Sequence, residues 1–231
     1  MVEAVTRADL PQAVLWDMDG TIIDSEPIWF IHQADIVREK GGYWDDDMSA
    51  GMVGMNLRDA AIYMIETAKI DADPEEFLTE LVRRVVDHVH SQGVERRPGA
   101  YELLDELRRA GVPIALVTAS YTSFAEEIAA DAGGFDVVVP GDRVTRGKPD
   151  PEGYLLAARL LGVDIEKCVA IEDSPNGLQA ARASGARCLA VPHMAQIPGA
   201  PGLSRVSSLA DVTLETIVQI AEGRPVDLIA V

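Results

Sequence analysis

Short apolar runs alternate with helical patterns along most of this 231-residue chain, and one long all-helical block interrupts them. The runs cover residues 13–17, 114–118, 137–139, 168–172 and 188–191. Apolar stretches this short, bounded by turn residues, read as buried strands. Helical patterns cover 100–110, 124–132, 152–161, 176–184 and 213–221. Strands that alternate with helices imply a parallel sheet with helices on both faces, an α/β fold. Pro98-Gly99 and Gly111 bracket the 100–110 pattern as start and stop signals.

Residues 26–95 break the alternation. They read as helices only, at 27–40, 57–69 and 74–90. Pro27 and Pro74 stand where a first helical turn tolerates proline, and Gly41-Gly42 closes the first helix. A block of about 70 residues is too long for a one-helix crossover. It reads as a helical bundle inserted at the ligand end of the first strand. The expected architecture is a Rossmann-like core, 11–25 and 96–231, with an α-helical cap, 26–95, on two hinges at 24–26 and 95–98.

Apolar residues make up 48% of the chain, enough for a real core, and only 5% are aromatic. With 20 basic and 38 acidic residues the formal charge is −18, which argues against nucleic acid or an anionic membrane as partner. An anionic substrate then needs a local positive site and a metal. Cys168 and Cys188 lie in apolar runs and read as buried thiols in a reducing compartment. No apolar run approaches a membrane span, and residues 1–10 lack the core of a signal peptide. The expectation is a cytoplasmic monomer that acts on a small molecule.

Four polar clusters sit where strands end. The first is Asp17-Met18-Asp19-Gly20-Thr21. Two carboxylates at a strand end repel each other, and a hard cation such as Mg²⁺ offsets that charge with oxygen ligands. The same pair allows one nucleophile and one proton carrier. The second is Thr118-Ala119-Ser120, where a hydroxyl and free backbone N–H groups suit a phosphate oxygen, though such a turn also serves as an ordinary helix cap. The third is Gly147-Lys148-Pro149-Asp150-Pro151, a stiff loop that confines one ammonium; most lysines in loops are simply solvated. The fourth, Glu172-Asp173, follows four apolar residues. Asp173 or Ser174 could cap the next helix, but that leaves Glu172 unexplained, and a buried unpaired carboxylate is costly.

In this order the clusters resemble the four motifs of the haloacid dehalogenase-like superfamily of phosphotransferases. The likeness runs from about residue 13 to 221 and includes the cap. It is greatest to the branch that holds sugar-phosphate phosphatases and β-phosphoglucomutase. The resemblance implies that Asp17 is a nucleophile that becomes an aspartyl phosphate. Asp19 would protonate the leaving oxygen and then activate water. Thr118, Ala119, Ser120 and Lys148 would hold phosphoryl oxygens. Mg²⁺ would bind Asp17, the backbone carbonyl of Asp19, and Asp173, with Glu172 in support. The dehalogenases and phosphonate-cleaving members lack a carboxylate at the position of Asp19, so its presence favours phosphate-ester chemistry.

A receiver-like signalling domain also surrounds an aspartyl phosphate with acids, Thr and Lys, but it is about half this length and has no place for the cap. A non-catalytic protein on the same fold has no need of Asp17, Asp19 and Lys148 together. Within the family the choice lies between phosphatase and mutase. The cap loop 52–58 should face the site. In β-phosphoglucomutase an arginine follows a glycine that resembles Gly54; here Leu57 falls nearest that place and Arg58 lies one further. The mismatch favours a phosphatase of a small phosphorylated metabolite, with Arg58 as a substrate-contact candidate. Trp16, Trp29 and His32 read as packing residues.

Overall fold

The computed structural model describes residues 9–52 and 55–229. The strands are β1 (Ala13–Trp16), β2 (Ile23–Asp24), β3 (Glu95–Arg96), β4 (Ile114–Val117), β5 (Val137–Val139), β6 (Cys168–Glu172), β7 (Arg187–Ala190) and β8 (Leu203–Arg205). The helices are α1 (Glu26–Glu39), α2 (Asp46–Ala50), α3 (Leu57–Ala68), α4 (Pro74–Gln92), α5 (Ala100–Ala110), α6 (Thr122–Asp131), α7 (Glu152–Leu161), α8 (Pro175–Ser184) and α9 (Leu214–Ala221). Six strands form one parallel sheet in the order β5-β4-β1-β6-β7-β8. The expected α/β fold is present, with helices over both faces.

Four elements lie outside the sequence reading: β2 and β3, which fall at the expected hinges, and β8 and α2. β8 is three residues long with Ser204 and Arg205 in it, so it carries no apolar run. Edge strands are kept short and polar in this way. α2 has five residues and an Asp45 cap, too few for a periodic signal. The 188–191 strand is shifted by one residue, to Arg187–Ala190.

Side-chain alternation splits the sheet into two cores. Val14, Trp16, Ile114, Leu116, Val169 and Ile171 join Leu104 of α5, Phe124 of α6 and Ile217 of α9. Ala13, Leu15, Ala115, Val117, Cys168 and Ala170 join Tyr154 of α7 and Ala181 of α8. The second face is lined by small residues, so α7 and α8 lie close to the sheet. Continuing the period of two along β1 and β6 sends Asp17 and Glu172 to this second face. Trp16 is fully buried on the other, as expected.

The segments that enter and leave the 26–95 block are zipped together: β2 pairs antiparallel with β3, Ile23 opposite Arg96 and Asp24 opposite Glu95. Arg96 then lies 3.9 Å over the Tyr101 ring and reaches Asp131 at 3.1 Å. Within the block His32 Nε2 faces His88 Nδ1 at 3.2 Å. The block touches α6 through Trp29, edge-on to Phe124 at 5.8 Å, and through His90 Nδ1, 3.1 Å from Glu127 Oε1. Trp29 and His32 are therefore packing residues. Among the described residues no helix is long and apolar enough to cross a membrane.

Candidate active site

β1 lies between β4 and β6, so the groups that follow these three strands meet at one place. This is where the chain changes direction across the sheet, the ligand position of open α/β folds. Asp17 follows β1, Thr118 follows β4, and Glu172 ends β6 with Asp173 next. Lys148 arrives from the loop before α7.

Lys148 Nζ lies 2.5 Å from Asp17 Oδ1 and 2.7 Å from Glu172 Oε1. The Tyr154 hydroxyl donates to the same Glu172 oxygen at 2.5 Å. Asp17 is 6% exposed and Glu172 and Tyr154 are 0%. Burial by itself lowers the Lys148 ammonium, but Asp17 and Glu172 outweigh it and hold the group well above the ordinary lysine value. Burial, then the Asp17 charge, raises the Glu172 carboxyl, against the opposing pull of Lys148 and Tyr154. Burial, with Asp17 and Glu172 next, raises Asp173 as well.

Asp19 has a different surrounding. Ser25 Oγ donates to its Oδ1, Ser120 Oγ to its Oδ2 at 2.8 Å, and Thr118 Oγ1 to Oδ2 at 3.2 Å. Burial raises its carboxyl above the usual range, the Asp17 charge adds to this, and the three hydroxyls pull the other way. One aspartate thus faces an ammonium and the other faces neutral donors. Such contrasting surroundings separate the proton affinities of two neighbouring carboxyls.

Three carboxylates, those of Asp17, Glu172 and Asp173, bring one oxygen each within 4.8 Å of one another, and all three residues are buried. Asp17 Oδ2 is buried with no hydrogen-bond partner. Glycine is required beside them. A Cβ at Gly20, where φ is +83°, would land on the Asp173 carboxylate, and one at Gly177 on the Glu172 carboxylate. An all-oxygen cluster with an orphaned buried lone pair fits a hard divalent cation.

The strand-to-helix turn after β4 differs from its expectation. The Thr118 N–H bonds Val139 O at 3.1 Å, and the Ser120 N–H bonds Thr118 Oγ1 at 2.9 Å. The first continues the β4–β5 pairing and the second closes the turn, and the hydroxyls face Asp19. Ser174 does cap α8, accepting from the Gly177 N–H at 3.2 Å. Its neighbour Asp173 is left to the acidic cluster.

A cavity of about 350 Å³ opens beside Lys148. Thr118, Ala119 and Lys148 line it from the sheet side, and Met55, Asn56, Leu57 and Arg58 from the inserted block. Arg58 is exposed, and its Nε lies 2.6 Å from Glu75 Oε1. Val53 and Gly54 of the same loop lie outside the described residues. Sequence reasoning missed Ser25 and Tyr154. Tyr154 was traceable as the one aromatic in a Leu- and Ala-rich helix six residues past Lys148. Ser25 carries no local signal beyond its place at the first hinge.

The sequence family described as haloacid dehalogenase-like hydrolase matches residues 11–185. A phosphorylated carbohydrates phosphatase from Thermotoga maritima is 33% identical over 177 residues, 75% of this chain and 82% of that protein. Hexitol phosphatase A from Escherichia coli is 33% identical over 186 residues, covering 80% and 84%. The crystal structure of CbbY from Rhodobacter sphaeroides with phosphate superposes with a TM-score of 0.80 at 27% identity, covering 87% of this chain and 96% of that one. The chain belongs to the haloacid dehalogenase-like hydrolases, on the phosphatase side of that family.

Proposed function

We propose that this protein is a Mg²⁺-dependent phosphatase that hydrolyses a small sugar or polyol phosphate through an aspartyl-phosphate intermediate. The observation that carries this reading is the contrast between Asp17 and Asp19: adjacent carboxylates, one paired with Lys148 and one held by three hydroxyls. Two relatives named as phosphatases of phosphorylated carbohydrates and of hexitols support the substrate class.

Asp17 supplies the nucleophilic oxygen. It attacks phosphorus as the bond to the leaving alkoxide breaks, and the carboxyl of Asp19 gives that oxygen its proton. Burial raises the proton affinity of Asp19, which favours it as the proton carrier. Asp19 then takes a proton from the water that cleaves the aspartyl phosphate, which regenerates both groups. Lys148 offsets charge on the phosphoryl oxygens, the main task in phosphoryl transfer, while Thr118 and Ser120 hold the Asp19 carboxyl in place. Mg²⁺, held by Asp17, the Asp19 carbonyl and Asp173 with Glu172 in support, would neutralise the remaining charge. We assign 26–95 as a cap that turns on the β2–β3 ribbon, closes over the site and excludes water.

A mutase must also hold the far end of a twice-phosphorylated intermediate. Arg58, the cap cation at the cavity, is already paired with Glu75, so the phosphatase reading is favoured. The test is phosphate release from a panel of phosphorylated metabolites with Mg²⁺, run beside an assay for isomer interconversion. Phosphate release that chelator stops and Mg²⁺ restores is expected. Interconversion without net release would overturn the reading.

A further inference from the structure

The cavity beside Lys148 has an outer end, and its charges are arranged differently from those of the inner end. Two arginines line that end, Arg58 and Arg146. Each already has acidic partners. Arg58 Nε is 2.6 Å from Glu75 Oε1, and Arg146 Nε is 3.2 Å from Asp150 Oδ2 and 3.7 Å from Glu152 Oε2. A further carboxylate, Asp142, lines the cavity and accepts from the Thr122 N–H and hydroxyl. Glu75 does not line the cavity itself but meets it through Arg58, and Tyr121 lines the same end.

We propose, building on the phosphatase reading above, that Glu75 determines specificity. By neutralising Arg58 at the mouth of the cavity it makes the site select singly phosphorylated substrates over bisphosphates. A second phosphate at the Arg58 guanidinium meets a cation whose charge Glu75 already offsets through Nε, or else sits beside carboxylates with no cation of its own. A hydroxyl meets no such conflict. It donates to a carboxylate or accepts from a guanidinium without breaking either pair. The Arg58–Glu75 pair is exposed, 57% and 63%, so it adds little to stability. Its effect lies in the net charge shown to an incoming ligand.

The test uses the full-length enzyme with Mg²⁺ and compares phosphate release from fructose 6-phosphate, fructose 1-phosphate and fructose 1,6-bisphosphate. The wild type should favour the better monophosphate over the bisphosphate by about tenfold in kcat/KM, the order expected when a dianion near the surface finds its cation already offset by a carboxylate. Glu75→Gln should raise kcat/KM for the bisphosphate several-fold, through KM, and so narrow the ratio. Arg58→Ala should widen it, because Glu75 is then unpaired. Simple loss of a structural ion pair would move both variants in the same direction, and that result would overturn the proposal. So would a wild type that prefers the bisphosphate. Hydrolysis of both ester types at equal efficiency sinks this inference and leaves the phosphatase reading intact. Hydrolysis of none of a broad phosphate-ester panel sinks both.

Discussion

Gly177→Ala tests how firmly the acidic end of the site is locked. In most helices this change gains about 1 kcal/mol, because alanine is the better helix former. Gly177 is the third residue of α8, but its added Cβ would land on the Glu172 carboxylate. A flexible side chain would swing away at little cost. Glu172 cannot, since it is fully buried and its Oε1 takes both Tyr154 at 2.5 Å and Lys148 at 2.7 Å. Hydrogen bonds to charged groups are worth about 1.5–3 kcal/mol each. Losing both costs roughly 3–6 kcal/mol, so the net effect is a destabilisation of about 2–5 kcal/mol after the helix gain. For a chain of this size that is a fall in Tm on the order of 10 °C. Urea and thermal unfolding, followed by circular dichroism, measure it. Gly147→Ala is the control, since no atom lies within 4 Å of its added Cβ. It should stay within about 1 kcal/mol of wild type or gain slightly. Glu172→Asp, by shortening the side chain, should restore part of the loss in the double variant. A Gly177→Ala protein as stable as its parent would refute the picture of a locked carboxylate.

Further outcomes follow from the same geometry. Asp17→Asn should abolish turnover of every ester, whereas Asp19→Asn should retain more activity on esters with acidic leaving groups, where general-acid help matters less; equal loss across leaving groups would contradict separate roles. Tyr154→Phe keeps the ring and removes the donor to Glu172, so it should destabilise by about 1–3 kcal/mol and weaken competitive inhibition by inorganic phosphate through Lys148; unchanged phosphate affinity would argue that Tyr154 only fills space. Burial pushes the Cys168 thiol up to about 11 and Cys188 to about 12, while in the unfolded chain both titrate near ~8.5. The folded state therefore keeps protons that the unfolded state releases. The thiols' contribution is intact below about pH 8.5 and is lost as pH rises toward those values. Urea midpoints between pH 8 and 10 should fall more steeply for wild type than for Cys188→Ala, and equal slopes would refute this.

The sheet was legible because each inner strand is built on a short apolar run, the pattern that burial on both faces demands. β8 was not, because this three-residue edge strand carries serine and arginine in place of an apolar run. The four motifs stood out for the opposite reason. Carboxylates directly after apolar runs, as at Asp17 and Glu172, conflict with burial unless a cation meets them, and Lys148 does lie against both. What stayed hidden depends on neighbours remote in sequence. Ser25 serves Asp19 only because the chain turns back through β2, and Tyr154 serves Glu172 only because alternation along β6 aims that carboxylate under α7. Arg58 is the most instructive case. The sequence marks it as a cation near the ligand, but its partner Glu75 lies 17 positions away on the next helix. Whether that arginine attracts a phosphate depends on the partner, so the charge of a site cannot be counted from its motif residues alone. It must be counted by pairs, and only the fold supplies the pairing.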